Sequence, residues 1–394
     1  MASILVTDAE QRAALAAVRS LGRAGHEVSV CASREAPLAG ASRYARRVAT
    51  VPDPLGDAAG FVTALRRLVD EWGIDILLPF SEAALLAVLP ARDAFAGIQI
   101  PFPDHERFAR ICDKPAVLEA ARAVGIAVPA QWRLDAPPQR GALPEGMRFP
   151  LVLKPARSVI EGRAGRIKSS VVHVADADAL RAALERMPPG AYPVLVQERI
   201  IGPGVGVFLL VWADEVLASF SHRRIREKPP SGGVSVYRES IRLDPALLDA
   251  SRALLRRFGW EGVAMVEYKV ERATGTPYLM EINGRFWGSL QLAIDAGVDF
   301  PGLLVAAAQG RRMQPVLSYR EGVRSRWFWG DVDHLLARLR HSREELALPP
   351  DAPGIGRALI AFLAAFGAGS RDEVFRLDDP APAVREAWNW LRGR

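Results

Sequence analysis

The sequence predicts an α/β protein, with a parallel α/β domain first, a strand-rich α+β region next and a small helical extension last. Three observations carry that expectation. Residues 1–110 alternate apolar runs with amphipathic ones, as in strand–helix–strand units. Between about 150 and 283 short apolar strands crowd together. Beyond about 315 the chain turns helical and tryptophan-rich.

In order, "SILVTD" reads as a strand, "EQRAALAAVRSLGRAGH" as an amphipathic helix ended by Gly25, and "EVSVCAS" as the next strand. "GFVTALRRLVDEWGI" and "DILLPFSE" repeat the unit, and "GIQIPFP" closes it. The first turn, "TDAEQRAAL", lacks the G-x-G-x-x-G fingerprint, which argues against a nicotinamide oxidoreductase. A Pro/Gly-rich connection spans 136–150. After it come the strands "PLVLKPA", "SSVVHV", "PVLVQERI", "GVFLLVWADE", "VLASFSHRR", "VAMVEYKV" and "PYLMEIN". The expected domains are 1–110, 111–315 (parts 111–195 and 196–315) and 316–394.

Composition narrows the function classes. The 394 residues are 49% hydrophobic and 24% charged, ordinary for a globular protein with a large core. Two cysteines, Cys31 and Cys112, allow no disulfide framework and fit a reducing cytosol. The N-terminus has no basic region of a signal peptide, and no apolar stretch reaches membrane-span length. A cytoplasmic protein without a membrane partner is expected. The net charge of +6 comes without like-charge runs or basic–aromatic repeats, so nucleic acid is not expected as a partner.

Of 51 basic residues only five are lysine: Lys114, Lys154, Lys168, Lys228 and Lys269. In so arginine-rich a chain, the surviving lysines suggest places where a compact ammonium is wanted. Lys154 ends a strand before Pro155, and Lys114 opens a helix. Between them "RSVIEGRAGRIKSS" (157–170), with Gly162, Gly165, Lys168 and two serines, suits a loop whose N–H groups fold over phosphates, without Walker A spacing.

"VAMVEYKVERATGTPYLMEIN" reads as a hairpin turning at Thr274–Gly275. Thr274 lies midway between Glu267 and Glu281, so the two carboxylates should face each other, with Asn283 on the same face. Tyr278, Met280 and Ile282 would form the other face, and Arg285 follows just past Gly284. Like charges opposed on a ladder are destabilising unless a cation sits between them. Two carboxylates and an amide oxygen are hard ligands, suited to magnesium. The plainer alternative is two surface carboxylates held apart by a register slip.

In their order, D-K (113–114), L-V-L-K-P (151–155), the glycine-rich loop, V-Q-E-x-I-x-G (196–202), the strand with Glu267 and M-E-I-N-G-R (280–285) resemble the ATP-grasp superfamily, carboxylate–amine ligase type. The resemblance covers about 111–310. It implies an ATP-grasp fold of two α+β subdomains behind a pre-ATP-grasp domain. It implies ATP with magnesium, or manganese in its place, as cofactors. By resemblance, Lys114 and Lys154 hold phosphates, helped by Lys168 and Lys228. Gln197, Glu198 and the backbone of Arg199, Ile200 and Ile201 border adenine. Glu267, Glu281 and Asn283 hold the metal, and Arg285 steadies an acyl phosphate. The acidic residue that often follows the G-P-G turn is missing from "GPGVGV", which leaves the ribose contact open.

"SFSHRRIREKPPSGGVSVYRES" (219–240) reads as a mobile cationic loop that binds a substrate carboxylate, with Arg224 catalytic and His222 a candidate base. An exposed basic hairpin tip is the alternative. "RSRWFWGDVDHLLARLR" reads as a core anchor for the C-terminal helices rather than a base-stacking platform. The implied activity is an ADP-forming ligase joining a small-molecule carboxylate to an amine, among them amino acids or peptides, and the resemblance suggests a homodimer. The rivals are an ATP-grasp kinase or carboxylase and a non-catalytic nucleotide-binding regulator.

Overall fold

The computed structural model describes residues 1–138, 143–162, 165–168, 171–367 and 369–393. Parallel strands β1 (Ser3–Val6), β2 (Glu27–Ala32), β3 (Ala45–Thr50) and β4 (Ile76–Leu78) form the first sheet, in the order β3-β2-β1-β4. Helices α1 (Arg12–Arg23), α2 (Ala58–Trp72) and α3 (Glu82–Val88) connect and cover it. Strand order reverses between β1 and β4, so the crevice beyond their carboxyl ends is a topological switch point. The expected closing strand "GIQIPFP" is reduced to a single bridge, Gln99 to Ile76. The sequence reading passes over β3 because "ARRVAT" is a largely exposed edge strand without an apolar face.

Helices α4 (His105–Ile111) and α5 (Lys114–Ala123) lead to a second, four-stranded antiparallel sheet. Its strands are β5 (Gln131–Leu134), β6 (Leu151–Pro155), β9 (Val172–Val174) and β10 (Val194–Glu198), in the order β5-β10-β6-β9, backed by α6 (Ala177–Glu185). Strands β7 (Val159–Gly162) and β8 (Gly165–Lys168) make a separate hairpin where a phosphate loop was expected. Residues 163–164 and 169–170 of that loop lie outside the described residues.

The third sheet has seven strands, β15-β14-β11-β12-β13-β16-β17. These are β11 (Gly204–Trp212), β12 (Glu215–Lys228), β13 (Val234–Ser240), β14 (Gly262–Val270), β15 (Pro277–Asn283), β16 (Arg324–Arg326) and β17 (Arg371–Asp372). Helix α7 (Pro245–Arg257) follows β13, and α8 (Leu290–Ala296) and α9 (Phe300–Ala308) follow β15. Helices α10 (Phe328–Arg340), α11 (Ile355–Ala364) and α12 (Ala381–Leu391) close the chain. Because β16 pairs with β13, the sheet continues past residue 315. Among the described residues, no single helix is long and apolar enough to cross a membrane.

One core joins the first domain to the seven-stranded sheet. Phe80, just before α3, stacks on Phe286 at 4.7 Å, and Trp287 packs on Phe208 at 4.3 Å. The second sheet keeps a smaller core of its own around Leu151, Leu180 and Val196. The tryptophan segment is an anchor: Trp329 stacks on Trp390 at 4.2 Å, and the Arg12 guanidinium lies 3.8 Å over Trp327.

The C-terminal segment also ties back to α1 by charge. Arg19, fully buried, donates from Nε to Asp379 Oδ2 at 2.8 Å and from Nη2 to the carbonyls of Val374 and Asp379. Asp379 also accepts from Ser42 Oγ and Arg43 N. Asp379→Ala strands a buried guanidinium, so denaturant unfolding should show a loss of about 3–5 kcal/mol. An Arg19→Met, Asp379→Leu double variant should recover most of it, since no buried charge is then left alone.

Candidate active site

Glu267 on β14 stands opposite Glu281 on β15, and Met265 opposite Asn283. The register then shifts, so Tyr268 pairs with Leu279 and Met280 is bulged. Leu279 therefore faces the core with Ile282 rather than the site with Glu281, unlike the strict alternation expected. Gly284 lets the chain turn close to Trp260, since a Cβ there would lie 2.3 Å from the indole.

Cations surround this acidic pair. Lys114 opens α5, whose N-cap is the Asp113 side chain. It is buried, with Nζ 3.7 Å from Glu281 Oε2 and 2.9 Å from Ser158 Oγ. Lys154 lies on β6 opposite Leu195. Burial pushes its ammonium down to about 8, against the pull of Glu281 and with a further push from Lys114. Arg285 donates to Asn283 Oδ1 at 3.0 Å, and Asn283 Nδ2 donates to Glu281 Oε1 at 3.1 Å. Burial alone would raise Glu281, but Lys114 and Lys154 hold it below the usual carboxylate range. Glu267 is raised by burial, despite Arg224, and by its facing carboxylate.

Arg224 Nη2 sits 2.6 Å from Glu267 Oε2, although β11 lies between their strands. The crossing is made over Gly204, where a Cβ would come 2.8 Å from Arg224 Cδ. The glycines of "GPGVGV" thus have a steric reason of their own. Arg224 also pairs with Glu227 at 2.9 Å, so its charge is met by two carboxylates rather than left free for a substrate.

Several expected site residues lie elsewhere. Residues 222–228 are not a mobile loop but part of β12, in register with β13. His222 is 1% exposed, opposite Gly206 and edge-on to Phe208 at 4.8 Å. Burial holds it neutral and neither ring nitrogen has a partner, which removes it as a base for a substrate amine. Lys228 turns to Asp333 on α10 and lies 5.4 Å from the Trp327 ring, away from a phosphate role.

Along the expected adenine edge, Gln197 is buried and donates to Gln131 Oε1 at 2.8 Å, leaving its own Oε1 unpartnered. Glu198 is exposed, and Ile200 is buried. Arg199 donates to Ala347 O at 2.6 Å. The Ile201 carbonyl is already taken by Arg272 N at 2.9 Å. Lys168, exposed on β8, projects its charge toward Glu82. Its hairpin is held to the first domain where Arg166 N donates to Leu55 O.

Three further side chains lie near these groups, and of them the sequence reading singles out only Lys269, as one of the five lysines and without a role. Lys269 shares the Glu267 strand and adds charge near Lys154 and Glu227. His173 on β9 is pushed down to about 4 by burial and by Arg199, Lys269 and Lys154, and its Nδ1 is unpartnered. Glu82, from the first domain, lines a cavity of about 10 Å³ with Lys114, Ser158, Glu281 and Asn283. The only sequence signal for Glu82 was its place after the helix cap Ser81.

The oxygens of Glu267, Glu281 and Asn283 suit a hard divalent cation. Among the described residues no group of three or more His, Cys, Asp or Glu could hold a metal by itself. Such an ion would rely on the amide and on ligand oxygens.

Residues 191–330 match the family model described as ATP-grasp in the biosynthetic pathway with Ter operon. Solved structures of similar shape include an L-amino acid ligase from Bacillus licheniformis (TM-score 0.61, 18% identity, covering 78% of this chain and 74% of that one). The chain has an ATP-grasp fold. Another structure of similar shape is an N5-carboxyaminoimidazole synthetase from Staphylococcus aureus in complex with ADP (0.62, 14%, 82% and 80%). A third is a biotin carboxylase from Campylobacter jejuni complexed with β-γ-ATP (0.62, 16%, 82% and 74%). None of the curated proteins matches the sequence significantly. At these identities the likeness establishes the ATP-grasp fold.

Lys154 supplies a test of the site. Its ammonium is charged below about 8 and neutral above, so a bound phosphate loses a cation as pH rises. The affinity for ADP with magnesium should fall between pH 7 and 9. Lys154→Ala should weaken binding at pH 7 by about tenfold, or 1.4 kcal/mol, and flatten that pH dependence, as read by calorimetric titration.

Proposed function

We propose that the protein is an ATP- and magnesium-dependent carboxylate–amine ligase that forms an amide through an acyl phosphate and releases ADP and phosphate. The observation that carries this reading is the Glu267–Glu281 pair with Asn283, ringed by Lys114, Lys154 and Arg285.

ATP would lie between the second sheet and the seven-stranded sheet. Lys114 and Lys154 would neutralise its phosphates, while Glu198 and the peptide groups of Arg199 to Ile201 would border the adenine. Glu267, Glu281 and Asn283 would hold magnesium, which would supply charge neutralisation at the phosphates. Arg224 would then release Glu267 to the ion and keep Glu227. Arg285, at the end of β15, would stabilise charge on the transferring phosphoryl group and on the acyl phosphate. The substrate carboxylate attacks the γ-phosphorus, ADP leaves, and the amine displaces phosphate from the acyl carbon. No side-chain nucleophile is required. Both cysteine thiols are pushed up by burial, Cys31 in the core of the first domain and Cys112 at the wall of the small cavity.

A carboxylase reading uses the same residues with bicarbonate as the acid. It is favoured by the carboxylase neighbour, as close in shape as the ligase. ADP and phosphate release from ATP and magnesium, measured against a panel of amino acids and short peptides, separates the two. Amine-dependent release, reduced by about two orders of magnitude in Glu281→Gln, is the ligase outcome. Release that needs bicarbonate would move the assignment to the carboxylase. ATP binding without turnover on any pair would argue for a regulator.

A further inference from the structure

We infer that Glu82 of the first domain binds the ammonium group of the amine substrate and takes its proton; the inference rests on the ligase reading. The side chain reaches the site by three independent features of the fold. First, Glu82 begins α3 directly after β4, at the carboxyl edge where β1 and β4 flank the switch point, the usual place for a ligand on such a sheet. Second, the turn that presents it is pinned. Asp8, buried after β1, accepts from Phe80 N at 3.2 Å and Ser81 N at 3.1 Å. Third, the Phe80–Phe286 stack sets the chain around Glu82 against the chain around Arg285.

Among the described residues the half-buried Glu82 carboxylate makes no hydrogen bond or ion pair, and it shares a cavity with Lys114, Ser158, Glu281 and Asn283. A half-buried carboxylate left without a hydrogen-bonding partner beside a cavity is free to accept from a ligand there. The cavity, about 10 Å³, has room for a group the size of one water. An ammonium nitrogen has that size, carries the complementary charge and brings its own donors. Burial, opposed by Arg285 and Lys114, raises the carboxyl above its ordinary range, which makes it a better proton acceptor. In the proposed step the ammonium gives one proton to Glu82. Its freed lone pair forms the bond to the acyl carbon. The bond from that carbon to the phosphate oxygen breaks, its electrons leave with phosphate, and the second nitrogen proton follows to that phosphate.

The first domain thereby selects the amine, while the two sheets of the grasp activate the acid. The experiment separates these halves. Wild type and Glu82→Gln are assayed with ATP, magnesium and the amino-acid panel in two ways. Acyl phosphate is trapped with hydroxylamine, a nucleophile already neutral at neutral pH, and amide formation is followed against amine concentration. In Glu82→Gln, hydroxamate formation should fall less than about threefold while KM for the amine rises about tenfold or more. Glu82→Asp should recover part of the amine affinity, and thermal melting of both variants reports folding. An unchanged amine KM, or equal loss of hydroxamate and amide in a folded variant, would overturn the assignment. No hydroxamate from wild type with any acid would instead defeat the ligase reading itself.

Discussion

Two carboxylates facing each other across a β-ladder set the terms for the rest of this protein. Glu267 and Glu281 repel, and partial burial strengthens the repulsion by lowering the local dielectric. The fold meets that field with cations drawn from every direction: Lys114 from a helix start, Lys154 from the second sheet, and Arg224 from two strands away. The answer is uneven. Lys114 and Lys154 keep Glu281 ionised, whereas Glu267 stays raised even with Arg224 against it. In the proposed reading a divalent ion would replace this uneven balance rather than disturb a settled one.

The hairpin that carries the pair was legible in sequence because its turn is local. Gly275 takes φ +75°, but the register nearest the turn (Tyr268 with Leu279, Val270 with Pro277) would set Glu267 against Met280, and only the bulge there brings it opposite Glu281. The bulge at Met280 was not legible, since Leu279 and Met280 are both apolar and either can face a core. The alternating order of the first domain was visible through its apolar periodicity, but charged, solvated β3 carried none.

What failed was partner choice at long range. His222 sits in a cationic run, and only its register opposite Gly206 sends it among Phe208 and Phe220. Lys228 looked like its fellow lysines until α10, more than a hundred residues on, brought Asp333 to it. Glu82 looked like an ordinary first-turn acid, and its position depends on two aromatic rings from separate domains meeting. Residue type and spacing therefore anticipated the facing of Glu267 and Glu281 on β14 and β15. They could not tell which nearby charges were already spoken for.

The tie between α1 and residues 373–379 bears on how the chain can be made. During synthesis the first domain emerges hundreds of residues before its partners Glu373 and Asp379. Until then Arg12 and Arg19 must stay hydrated on an open surface, so a domain made before these partners is finished only after them. Contacts of such sequence separation slow folding, and they make completion depend on the synthesis of residues 373–379. A nascent chain stalled before residue 373 would hold a formed sheet beside a flank it has no means to close.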